Sequence, residues 1–193
     1  MSFEESLVKN ASPTLANIKA SNLYNFHFAT AEEADDAINH FNSLMNPKGI
    51  YVDFVRREKD FYLIFVYRVS KVKNILANEE VHSFLMEKGF PDTGDVYGYI
   101  DVLKKKMAKG EDFPHEIGVF LGYPLPEVKA FIETGGRDCK FCGDWKAYHD
   151  EQYARCMYCK YKHCKEVYVR TYLGGRRFSD MLVASRNSAR RTA

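Results

Sequence analysis

The chain has 193 residues, 46% of them hydrophobic and 15% aromatic, with 28 Lys and Arg against 26 Asp and Glu for a net charge of +2. That apolar content suffices for one packed core, so the expected organisation is a single domain over 1–173 followed by a flexible tail over 174–193. The opening Met1-Ser2-Phe3-Glu4-Glu5 carries acid where a secretory signal carries base, and the longest strongly apolar run, Phe61 to Val66, falls far short of the ~20 residues of a membrane span; a cytoplasmic protein with no membrane segment is expected.

Residues 22 to 69 read as strand, helix, strand, strand. Leu23 to Phe28 is rich in aromatic residues, and Thr30-x-x-Glu33 is a capping box opening an amphipathic helix with Ala34, Ile38, Phe41 and Met45 as its buried stripe. Pro47 and Gly49 stop that helix. Ile50 to Val55 and Phe61 to Val69 then flank the charged turn Arg56 to Asp60 as a hairpin. The second of these strands is apolar on both faces, which predicts a central position in a sheet covered on two sides.

From Ser70 onward the apolar residues recur at spacings of three and four, which predicts helices punctuated at Asn78, Gly89-Phe90-Pro91, Gly110 and Gly122. Val81, Phe84 and Leu85 mark one buried face; Val96, Ile100, Leu103 and Met107 mark the next. Phe113 to Pro124 forms a compact unit in which Pro114 starts a short helix and Gly122 closes it in the left-handed conformation. Within it, His115 and Glu116 are candidate catalytic residues, as an acid–base pair or as metal ligands, although neighbours on a helix point about 100° apart and need a third group to converge. Capping and packing is the competing reading. Pro126 opens another helix carrying Val128, Phe131 and Ile132, ended by Gly135-Gly136.

All five cysteines lie beyond that point, between Cys139 and Cys164. Two C-x-x-C pairs, Cys139/Cys142 and Cys156/Cys159, have the pattern of a tetrahedral zinc site, with His163 and Cys164 as alternative ligands. Reversible redox chemistry and plain packing of small apolar side chains are the other readings, and Cys164, on the apolar face of its helix, reads as packing. Asp144 to Tyr148 looks like a short strand. Trp145 within it reads as core, with stacking on a flat ligand as the alternative. Asp150 caps a helix whose inner face is Tyr153, Met157, Tyr161, Cys164 and Tyr168.

The charge is unevenly spread: residues 1 to 100 hold 10 Lys and Arg against 14 Asp and Glu, and residues 101 to 193 hold 18 against 12. Arg176, Arg177, Arg186, Arg190 and Arg191 concentrate the excess at the end of the chain, where a nucleic-acid partner would find phosphate-binding side chains; a solvated tail is the simpler reading. No phosphate-binding glycine loop, nucleophile elbow or His-Glu-x-x-His motif is present.

Pro114-His115-Glu116, Leu121-Gly122-Tyr123, Ser12-Pro13-Thr14-Leu15-Ala16 and Cys142-Gly143-Asp144-Trp145-Lys146-Ala147-Tyr148, followed by Cys164, together resemble the prokaryotic family known as domain of unknown function 3793, over most of residues 3 to 168. The resemblance brings no activity, substrate or cofactor with it. It implies interest in His115 and Glu116, and it implies that Cys142 and Cys164 recur in the family while Cys139, Cys156 and Cys159 are additions, so a four-cysteine zinc site would be peculiar to this chain.

The expected architecture is α+β or α/β: a small mixed sheet of about four strands covered by five to seven helices. The expected function is that of a cytosolic binding or accessory protein with a zinc-stabilised C-terminal segment. The alternatives are an enzyme using His115, Glu116 and a thiol such as Cys142 for redox or proton-transfer chemistry, and a nucleic-acid module using the arginine tail.

Overall fold

A computed structural model of the chain describes residues 1–92, 95–108 and 113–185. Eight α-helices stand among them: α1 Phe3–Leu15, α2 Ala31–Met45, α3 Val69–Leu76, α4 Glu79–Glu87, α5 Val96–Ala108, α6 Ile117–Phe120, α7 Leu125–Thr134 and α8 Glu151–Leu173. The strands are β1 Ser21–His27, β2 Ile50–Glu58 and β3 Phe61–Arg68 in one sheet, with β4 Phe141–Cys142 and β5 Lys146–Ala147 as a separate hairpin. The class is α+β. Every pairing among these strands is antiparallel, so the expected mixed sheet is purely antiparallel, and the later strand forms its own two-stranded piece instead of joining the main sheet.

The strand order is β1-β3-β2, with β3 in the centre as its two apolar faces predict. Alternation along β3 divides the core: Tyr62, Ile64 and Val66 face one layer, Phe65 and Tyr67 the other. The first layer packs against α1 and α2 through Leu7, Ala11, Phe41 and Met45. The second packs against α3 to α7 through Val72, Leu85, Leu103, Phe120 and Val128. Strand β2 alternates likewise, with Ile50 and Val52 facing the first layer and Tyr51 and Val55 the second, and its register against β3 shifts between Phe54 and Arg56. The sheet is therefore sandwiched, and helix α8 lies outside it against α1.

The local causes are conventional. Helix α2 begins at Thr30, whose hydroxyl accepts from the Glu33 N–H at 3.1 Å, and buries the expected Ala34, Ile38, Phe41 and Met45. Helix α1 opens with a capping box in which Ser2 Oγ accepts from Glu5 N–H and Glu5 Oε2 accepts from Ser2 N–H. Its other end meets the guanidinium of Arg68, the last residue of β3. This side chain is fully buried and has no ion-pair partner among the described residues: Nε donates to Thr14 O at 2.5 Å, Nη2 to Leu15 O at 2.8 Å and Val183 O at 2.7 Å, and Nη1 to Ser185 Oγ at 3.1 Å. A cation at the negative end of a helix is favourable, and burial pushes this pKa down only to about 10, so the charge persists at neutral pH.

These contacts correct the expected free tail over 174–185; its remainder, 186–193, lies outside the described residues. Beyond Gly175 the chain turns back, forms a 3-10 turn over Phe178–Met181, and buries Phe178, Met181 and Leu182 beside α1 and α2. Val183 N–H donates to Leu15 O at 3.1 Å and Ser185 N–H to Lys48 O at 3.0 Å. Helix α8 keeps its expected inner face except at its start: Tyr161 is buried and Met157, Cys164 and Tyr168 are half-buried, whereas Tyr153 is 46% exposed and Ala154 is buried in its stead. The hairpin, not the main sheet, covers that side, so the buried stripe is narrow.

Candidate functional site

Chain geometry around α6 and the hairpin builds a cleft. Pro114, His115 and Glu116 form the turn that enters α6, and Gly122, at φ 82°, reverses the chain so that Tyr123 N–H returns to Gly118 O at 3.0 Å. Gly118 allows this close return, since a Cβ there would stand 2.9 Å from Val128 Cγ2 and 3.3 Å from Tyr123 Cδ2. Pro124 and Pro126 then launch α7. After Gly135-Gly136 the hairpin β4–β5 folds over α7 and α8. Its inner residues Trp145 and Ala147 pack on Ala154 and Tyr161.

Between α6, α7 and the hairpin lies a cleft of about 290 Å³. Its apolar wall is Leu23, Ile117, Leu121, Val128, Phe131 and Trp145. Its polar residues are His115, Glu127, Cys142, Asp144 and Lys146. The imidazole of His115 meets the Phe131 ring edge-on at 4.9 Å, the Lys146 ammonium stands 5.8 Å from the same ring, and Trp145 leans on Tyr123 at 5.2 Å. Trp145 is 8% exposed, and its indole N–H is buried with no hydrogen-bond partner among the described residues.

Of the residues singled out in the sequence, His115 and Cys142 meet at this cleft, on segments far apart in the chain. Glu116 does not join them. It is buried, its Oε1 accepts from Lys106 Nζ at 2.8 Å, and it lines a second cleft on the other side of the Pro114–Glu116 turn. His115 lines that second cleft as well, so His115 and Glu116 share it while Glu116 stays away from Cys142.

In and behind the cleft wall stand charged groups that sequence reasoning missed. Lys19, 4% exposed, reaches Asp144 Oδ1 at 3.4 Å and lies between the rings of Tyr123 and Tyr161, at 5.1 and 5.2 Å from their centroids. Burial pulls the Lys19 ammonium below its ordinary pKa, opposed by the Asp144 carboxylate. Burial likewise raises the phenol of Tyr123, which Asp144 and Tyr161 reinforce. Glu127 is buried at the start of α7 and takes N–H groups from Tyr148, His149 and Asp150 at 2.6, 3.1 and 3.0 Å. Burial alone would raise its pKa; those three backbone donors outweigh burial and hold the carboxyl below its ordinary range. A lysine in the short Ile18-Lys19-Ala20 connection carries no periodic or motif signal. Only the chain path makes it a buried ion.

The cysteines are spread over touching elements. Cys142 is exposed at the cleft mouth on β4, Cys139 is half-buried just before it, Cys156 and Cys159 are exposed on α8, and Cys164 is half-buried on α8 with its thiol pKa raised by burial. His163 is exposed one residue before Cys164. Among the described residues no three His, Cys, Asp or Glu side chains stand close enough together to hold a metal ion. Of the arginines expected to reach nucleic acid, Arg176 and Arg177 are exposed, and Arg177 pairs with Asp180 at 3.1 Å. Arg186, Arg190 and Arg191 lie outside the described residues. No helix among the described residues is long and apolar enough to cross a membrane.

An α+β sandwich with a cleft between a glycine-cornered helix pair and a Cys-Gly-Asp-Trp-Lys hairpin is the arrangement that the motifs of this chain build. The chain belongs to the family described as protein of unknown function (DUF3793), which it matches over residues 7–182. That match spans all the cleft residues, from Leu23 to Lys146. No curated protein and no solved structure matches the chain.

Proposed function

We propose that this protein binds a small molecule in the cleft beside α6 and presents to it the thiol of Cys142 and the imidazole of His115. The observation that carries the reading is the meeting of these two residues in one largely apolar cavity that also holds Trp145. The volume suits a small ligand, and apolar walls with a few convergent polar groups are the usual make-up of such sites. The unmet indole N–H on a cleft residue adds to this, because an unpaired buried donor costs about 1–3 kcal/mol and an acceptor on a ligand would relieve it. An enzymatic use of the pair would have the imidazole take the thiol proton at roughly 3 Å, leaving a nucleophilic thiolate.

Trp145 is the chain's single tryptophan and reports on the cleft directly. Alkylation of native protein, mapped by peptide mass, is expected to reach Cys142 and to shift the Trp145 emission. In the Cys142→Ser variant, alkylation of Cys156 and Cys159 should leave that emission where it was. An emission blind to modification of Cys142 would refute the cleft reading. For the enzymatic use, the Cys142 alkylation rate should rise with pH through an inflection that His115→Ala abolishes.

A second reading, zinc held by Cys139, Cys142, Cys156 and Cys159, is favoured by one contact. The β4 residue Phe141 packs on Tyr158 of α8 at 5.8 Å, so the two C-x-x-C pairs sit on neighbouring surfaces and a shift of the hairpin would draw them together. Elemental analysis of untagged protein decides it: one zinc per chain supports the site, and metal near zero removes it.

A further inference from the structure

Helix α8 carries two exposed cysteines on the side turned away from the core. At about 100° per residue, Cys156 and Cys159 stand about 140–160° around the helix from Ala154 and Tyr161, the residues it buries. The pair lines neither cleft and joins none of the packed clusters, so the burial of small apolar side chains does not account for it. Both residues lie well inside Glu151–Leu173, on a backbone held by the hydrogen bonds of the helix.

That regular helix decides which chemistry is open to the two thiols. Residues three apart on a helix have Cβ atoms about 5–6 Å apart, whereas a disulfide needs about 3.5–4.5 Å, so the thiols are neighbours that do not bond to each other while the helix stays intact. Two metal–thiolate bonds of roughly 2.3 Å each bridge the same gap without moving the backbone. Zinc closes its shell with four ligands, and among the described residues no three His, Cys, Asp or Glu side chains gather to hold an ion. Two thiolates alone match a soft monovalent ion that accepts linear coordination, and copper(I) is that ion. As it binds, both thiols release their protons, and the resulting complex carries net negative charge. Lys160 and Lys162 follow Cys159 within one turn, a basic stretch that favours such a complex.

We propose that Cys156 and Cys159 form a copper(I) site on the outer face of α8. The site goes beyond the cleft reading: it uses one helix, draws on none of the cleft residues and needs no movement of the hairpin.

The test titrates untagged protein with copper(I) under anaerobic conditions, in competition with bicinchoninate, whose copper complex is coloured. The Cys139→Ser/Cys142→Ser chain, which keeps α8 and removes the other thiol pair, is expected to withdraw one equivalent of copper(I) from the chelator and to sediment as the metal-free chain does. Adding Cys156→Ser or Cys159→Ser to that chain should weaken binding by about a hundredfold or more, whereas adding Cys164→Ser should leave it within about threefold. Cys156 and Cys159 are exposed, so their replacement spares the fold, and circular dichroism of each variant verifies it. Copper that stays with the chelator, binding that survives the loss of either α8 thiol, or a dimer that forms only with copper would overturn the site. Neither result touches the cleft, whose own test is the Trp145 emission.

Discussion

Glu127 shows how one buried carboxylate shapes the site. Tyr148, His149 and Asp150 precede the first turn of α8, and their N–H groups need acceptors that the helix itself does not supply. Glu127 supplies them from α7 and so fixes the hairpin–helix junction beside the cleft. Because the folded carboxyl sits below its ordinary 4.5, its stabilisation is complete above that value and is lost as pH falls through the lower folded pKa. Glu127→Gln should therefore cost about 1–3 kcal/mol near neutral pH, with the gap to the native protein closing on acidification below pH ~4, as read by urea unfolding at a series of pH values. Nothing in Pro126-Glu127-Val128 announces this role, because a glutamate in a first helical turn is also what a solvated helix would carry.

At the scale of elements, local signals were reliable where a single segment sets the outcome. The central place of β3 follows from its two apolar faces, the start of α2 from Thr30 and Glu33, and the left-handed turn at Gly122 from its position after α6. Helix α1 was not legible in the same way: Pro13 sits inside its last turn, where proline usually argues against helix, although Ser2-x-x-Glu5 is a capping box in plain sight. Its buried end depends on Arg68, which joins α1, β3 and the C-terminal segment through three carbonyls and a hydroxyl. Arg68→Met, which fills the space without a donor, removes the guanidinium donor from Val183 O and leaves Thr14 O and Leu15 O with only the N–H groups of Asn17 and Val183, and should lower stability by about 1–3 kcal/mol, measured by denaturant unfolding. Arg68→Lys should recover only part of this, since one ammonium cannot span the fork.

For the whole molecule, the segment after Gly175 closes the layer formed by α1 and α2. Phe178, Met181 and Leu182 are each less than a tenth exposed. Truncation after Gly175 should cost about 5 kcal/mol, from three apolar side chains at roughly 1.5–3 kcal/mol each, relative to a chain ending after Ser185 that keeps these contacts. The check is the shift in urea midpoint between the two truncated chains. The tail reading arose because the arginines and small residues dominate this stretch, while its three apolar side chains are too few to show a period.

The amino-acid sequence by itself determined that helices and a small sheet are mixed, though not whether as α+β or α/β, the secondary structure of most periodic segments and the family, because each depends on residues within single stretches of chain. It also brought His115 and Cys142 forward as chemistry-bearing residues. Which groups meet was decided only by the tertiary structure: Cys142 and His115 on one cleft, Lys19 against Asp144, Glu116 turned to Lys106, Arg68 at the end of α1. Such meetings join segments distant along the chain, and the packing of helices and hairpin around the sheet sets them, leaving no local pattern to read.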